Sequence, residues 1–197
     1  MLLFLGFSIK IIIMKKLLSW LPFGVTITLL CGIVYVSVQQ GYRSTANDPQ
    51  IQMTEDLSAL LTSGASAQDL LSGFPRVEMS VSLAPFIQVY DQDKKLLFSN
   101  GFLGKESPTP PAGVLDFAKS HGTNRLTWMP RPDTRSATVI KYYKGQAHEG
   151  FVLAGRSLRE IEIRVKNLTT GLVIGWLVTI IASLAAMMVS LKINKVK

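Results

Sequence analysis

Two apolar runs limit what this chain can become before any other feature is considered. Leu17 to Val38 is 22 residues without a charge, and Leu168 to Leu191 is 24. Each is long enough to cross a hydrocarbon core about 30 Å thick at about 1.5 Å of rise per helical residue. Both are therefore expected to be transmembrane helices, and the 48% hydrophobic composition is largely their doing.

The charges give these spans a direction. Lys10, Lys15 and Lys16 precede the first run, Lys192, Lys195 and Lys197 follow the second, and no acid accompanies them. All 13 acidic residues and the other 15 basic ones lie between the runs. The positive-inside bias then puts 1–16 and 192–197 in the cytoplasm, 17–38 and 168–191 in the cytoplasmic (inner) membrane, and 39–167 outside it. A pI near 9.7 thus records topology, and no nucleic-acid partner is expected. A start at Met14 would give a basic n-region and an apolar core, so 1–13 read as a start-site extension or an interfacial stretch. Ser44-Thr45-Ala46 offers small residues for signal cleavage, but the 22-residue core and Arg43 favour an uncleaved anchor. Cys31, the one cysteine, falls in the first span, which leaves the exported segment without a thiol or disulfide.

Residues 39–167 are enough for one domain. Asp48 as N-cap, Pro49, and the apolar stripe of Ile51, Met53, Leu57, Leu60 and Leu61 predict a helix ending at Gly64. A short helix is expected over Ala67–Ser72. Phe86–Tyr90 and Lys95–Ser99 flank the turn of "VYDQDKKLLFSNG" as a hairpin. A proline-stiffened connector and a helix over Ala112–Ser120 come next. Strands are expected at Arg125–Met129, Ala137–Tyr143 and Gly150–Ala154. The fold class is α+β with a five-stranded antiparallel sheet.

With "APFIQVYDQDKKLLFSNGFLG" as first hairpin and "GFVLAGRSLREIE" as last strand and exit helix, this order resembles the extracytoplasmic PAS-like or single Cache sensor domains of bacterial receptors. The blocks "NDPQIQ", "LAPFIQVYD", "PPAGVL" and "GFVLAGRSLREIE" resemble a set found in bacterial membrane proteins and sensor-kinase ectodomains. The resemblance covers about 46–165 and implies a small ligand held in a cup between the sheet and its connecting segments. Such receptors continue into HAMP, kinase, cyclase or chemotaxis modules, whereas six residues follow Leu191 here. The expectation is a sensor without its own output module.

For chemistry, the most suggestive stretch is "NRLTWMPRPDTR". Arg125, Arg131 and Arg135 beside Trp128 could clamp a small anionic ligand, guanidinium to carboxylate with the indole as a packing face. The competing reading is an exposed strand with Trp128 in the core. Tyr90 and Tyr142 join the candidate ligand-binding set under the same two readings. Asp91 and Asp93 read as turn residues rather than Ca²⁺ ligands. His121 and His148 read as solvated loop histidines. No nucleophile elbow, phosphate loop or metal-spaced His pair occurs, so no enzyme activity, cofactor or metal is expected.

Ser157-Leu-Arg-Glu160 reads as a capping box. Leu158, Ile161, Val165, Leu168 and Leu172 then continue as a heptad seam into the second span. Gly171, Gly175, Thr179 and Ser183 place small residues every fourth position, which would let this helix pack against the first span, a homodimer mate or another membrane protein. The expected function is a membrane-anchored sensory domain signalling through lateral contacts. The alternative is a non-sensory protein-interaction or assembly module.

Overall fold

The computed structural model describes residues 2–146 and 148–193. The side chains of Lys10, Lys16 and Lys192, and the tail with Lys195 and Lys197, lie outside the described residues. The chain divides into a helical unit, Met1–Gly41 with Arg164–Lys197, and a mixed unit, Tyr42–Ile163.

In the helical unit, α1 (Leu2–Thr45) and α5 (Arg159–Ile193) contain the two apolar runs and extend beyond both. Their most apolar stretches have mean hydropathies of 2.0 and 2.4, and both helices are long and apolar enough to cross a membrane. They pair antiparallel through two indoles. Trp20 Nε1 donates to Ser183 Oγ at 3.1 Å, and Trp176 Nε1 donates to Thr28 Oγ1 at 3.0 Å. Each hydroxyl passes its own proton back along its helix, Ser183 to the Ile180 carbonyl and Thr28 to the Gly24 carbonyl. Gly24 makes room for this arrangement, because a Cβ there would stand 2.8 Å from the Trp20 ring.

The small-residue stripe is not one contact surface in this pairing. Ser183 meets α1, but a Cβ at Gly171 or Gly175 would meet nothing within 4 Å, and the Thr179 hydroxyl bonds its own helix at the Gly175 carbonyl. The reason is helix rotation: Gly171 and Gly175 each precede a seam residue, Leu172 and Trp176, by one position, and so point about 100° away from it. The half-buried seam is instead Leu168, Leu172, Trp176, Ile180 and Ser183, which mixes steps of four and three.

The mixed unit has the expected order of elements. α2 (Asp48–Thr62) and α3 (Ala67–Leu71) precede the strands, and α4 (Ala112–His121) interrupts them. β2 (Phe86–Asp91), β3 (Leu96–Ser99), β5 (Thr123–Arg131), β6 (Thr134–Lys144) and β7 (Glu149–Ser157) form one antiparallel sheet in the order β3-β2-β7-β6-β5. A two-stranded parallel pair, β1 (Val77–Glu78) with β4 (Gly101–Phe102), was not legible in sequence, because two-residue strands have no period to read.

Both faces of the sheet are covered, so β2 reads Phe86, Ile87, Gln88, Val89, Tyr90 with every residue buried. Ile87, Val89, Val152 and Tyr143 pack against Leu57, Leu61 and Leu71 of α2 and α3. Phe86, Tyr90, Ile140, Phe151, Leu153 and Trp128 pack against Leu115 and Ala118 of α4. Two helix starts differ from expectation. Asp48 is the first residue of α2 rather than its cap, the preceding Asn47 making no side-chain cap bond. Ser157 ends β7, and its hydroxyl accepts from Arg159 N–H at 3.3 Å, two residues on rather than three.

Candidate functional site

The α4 face of the sheet leaves no cup between the strands and α4, because side chains occupy it. The Phe86 ring is wedged between two glycines. A Cβ at Gly101 would stand 2.8 Å from it, and one at Gly155 would overlap it. Trp128, 6% exposed, tilts against Phe86 with ring centroids 6.2 Å apart. Alongside lies a polar knot. Tyr90 Oη donates to Gln88 Oε1 at 2.7 Å, and Gln88 Nε2 donates to the Pro108 carbonyl at 2.8 Å. Asn100 accepts from Ile87 N–H and donates to the Pro75 carbonyl. These bonds tie the proline connector and the β1 approach to the central sheet, and burial raises the Tyr90 phenol above its ordinary range.

The six residues read as a ligand set do not converge. Trp128 and Tyr90 are core. Arg125 is exposed opposite Val139, on the other face from Trp128, because the two are an odd number of residues apart in one strand. Arg131 sits at the β5–β6 hairpin tip, beyond a register shift. Arg135 pairs with Glu162 at 2.6 Å. The anion clamp of three arginines around an indole is therefore not formed. Tyr142 is half-buried, donates to Glu149 Oε2 at 2.7 Å and lies beneath Lys119 Nζ.

A cleft of about 760 Å³ opens elsewhere, at the end of the sheet formed by the β2–β3 and β6–β7 turns. The link between α2 and α3 closes its third side with Gly64 to Gln68. Three short segments, distant in sequence, thus build one concavity. The β6–β7 hairpin can approach α2 because it has no side chain at Gly145, where a Cβ would stand 2.8 Å from the Thr62 carbonyl. Polar groups on the rim include Asp91, Asp93, Glu149, Lys144, Gln68 and His148. Glu149 is already paired with Lys119, so Asp91 and Asp93 stand against Lys144, and this rim favours a cation or zwitterion over the anion expected from the arginines. Asp91 is also a turn residue as expected, its Oδ1 accepting from Lys95 N–H at 2.8 Å. His148 is exposed on the rim. His121 lies in the last turn of α4, not in a loop, stacked on Phe117 at 4.0 Å.

Glu149 stands where the cleft meets the sheet. Hydrogen bonds from Tyr142 and Lys119 hold its carboxyl below the usual range, while the same bond, with burial, pushes the Tyr142 phenol up to about 12. A phenol harder to ionise in the folded than in the unfolded chain stabilises the fold fully below about pH 10, and that stabilisation is lost as pH rises toward about 12. Tyrosinate absorbance of the full chain should therefore contain a late-titrating phenol near pH 12 that is missing in Tyr142→Phe.

Sequence reasoning missed Gln68, Lys144 and Glu149 because nothing local marks them. Glu149 falls one residue before the last expected strand, where an acid carries no distinguishing signal. No family model, no curated protein and no solved structure matches the chain.

Proposed function

We propose that this protein is a membrane-anchored sensor whose mixed domain, of PAS-like or single Cache type, lies outside the cytoplasmic membrane and takes a small polar ligand at the turn end of its sheet. The observation that carries the reading is the 760 Å³ cleft with its mixed polar rim, a volume within the range of small-molecule sites. β7 supplies the link to the membrane. It begins in the cleft at Glu149, runs between β2 and β6, and ends two residues before α5 begins at Arg159. A ligand that draws the β6–β7 turn toward α3 would pull on a central strand continuous with the exit helix. The output is then a change in lateral contacts of α5, for which the open Gly171 and Gly175 positions offer room.

The test is thermal unfolding of the full chain in nanodiscs across amines, amino acids and carboxylates. A ligand present at about 100 times its Kd adds about 2.7 kcal/mol to the folded state. An amine or amino acid should raise the transition temperature, and Asp93→Asn should weaken that response while leaving the unliganded transition in place. No response in any class would remove the sensory reading.

The second reading, a protein-interaction or assembly module, is favoured by the filled α4 face, since a sheet plugged by Phe86 and Trp128 offers no interior cup. A stable membrane partner copurifying without added small molecule, together with a flat thermal response, would select it.

A further inference from the structure

The end of the sheet opposite the cleft is built of different chemistry. There β7 passes into α5 through Leu158, whose N–H donates to the Arg135 carbonyl at 2.9 Å. The β5–β6 hairpin overruns this junction. Ser136 is opposite Ser157, but β6 begins at Thr134, opposite Arg131, so the tip projects about two residues, roughly 7 Å, past the last strand pair. The loop 80–85 is strapped to the same end by two guanidiniums. Arg159 Nη2 donates to the Val81 carbonyl at 2.7 Å, and Arg156 Nε donates to the Leu83 carbonyl at 3.0 Å.

These straps hold aliphatic side chains outward. On the strapped loop Val81 is 62% exposed and Leu83 37%; near the end of β5 Met129 is 59% exposed, and Arg131, Arg156 and Arg159 are exposed at the same end of the sheet. Asp133 and Glu160 share this end, and Glu162 is engaged by Arg135. A guanidinium bonded to one carbonyl keeps the rest of its planar fork for phosphate oxygens. α5 is one helix from Arg159, and its charge-free run begins at Leu168, nine residues or about 14 Å along the axis. An arginine side chain reaches into a headgroup layer about 5–7 Å deep.

We infer that this end of the sheet is a peripheral membrane contact, seating Met129, Val81 and Leu83 among the headgroups of anionic phospholipid while the arginines bind phosphate. The inference rests on α5 being a membrane span, and the experiment separates the two. In a Cys31→Ser background, an environment-sensitive fluorophore is attached through Met129→Cys, Asp93→Cys or Val178→Cys in the full chain, in phosphatidylcholine nanodiscs with or without phosphatidylglycerol. The probe at 129 should emit at shorter wavelength than that at 93, should be quenched by a nitroxide on the lipid headgroup, and should shift further with phosphatidylglycerol. Equal emission at 129 and 93 with a shielded probe at 178 overturns the contact and leaves the span. A shift at 129 without headgroup quenching also overturns it, assigning the surface to a protein partner. A shift indifferent to phosphatidylglycerol overturns the arginine–phosphate recognition, and a water-exposed probe at 178 overturns span and contact together.

Discussion

Trp128→Ala should destabilise the mixed domain by about 3–5 kcal/mol, a large share of the roughly 5–15 kcal/mol that holds an ordinary domain together. The indole is buried against Phe86 and belongs to the same cluster as Leu115, Phe151 and Leu153, so its removal leaves a cavity that a two-sided sheet closes poorly. Arg125→Ala, three residues earlier on an exposed position, should change stability by no more than about 0.5 kcal/mol. Urea titration with pulse proteolysis of the full chain in detergent measures both. A Trp128→Ala protein as resistant as the parent would return the indole to the ligand-site reading.

Gly155→Ala is expected to cost about 1–3 kcal/mol or more, although it adds a single methyl group. Gly155 lies in the central strand β7 opposite Phe86 of β2, and the added Cβ would overlap the Phe86 ring. That ring has no retreat, because its other side rests on Gly101. The cause can be isolated by a second substitution: Phe86→Leu removes the ring atoms that clash, so the double variant should be more stable than the sum of the single effects by about 0.5–3 kcal/mol. Strict additivity in the same proteolysis assay would mean that Gly155 is needed for its backbone rather than for the ring.

The elements were legible because each carries its own period. The hairpin around Asp91–Lys95, the α4 segment with Leu115 and Ala118 inward, and the three later strands all show their alternation or helical spacing within a dozen residues. The candidate site was not legible, for the opposite reason. "NRLTWMPRPDTR" gathers three arginines and a tryptophan along the chain, but strand pleating sends Arg125 and Trp128 to opposite faces, and a register shift separates Trp128 from Arg131. The cleft, by contrast, draws on residues 64–68, 91–93, 143–146 and 148–149, which only strand pairing brings together.

The sequence by itself determined the two long apolar helices and the α+β order between them, since charge-free length and hydrophobic period are local properties that no tertiary contact needs to supply. The tertiary structure decided which polar groups meet. It filled the α4 face by wedging Phe86 between Gly101 and Gly155, spent Gln88 and Asn100 on the connector, and paired Arg135 with Glu162. It also chose the seam between α1 and α5, where the Trp20–Ser183 and Trp176–Thr28 bonds prevail over an evenly spaced run of small residues. Each of these outcomes depends on which side chain faces which across more than a dozen residues of chain, and that is set by register and helix rotation, not by composition.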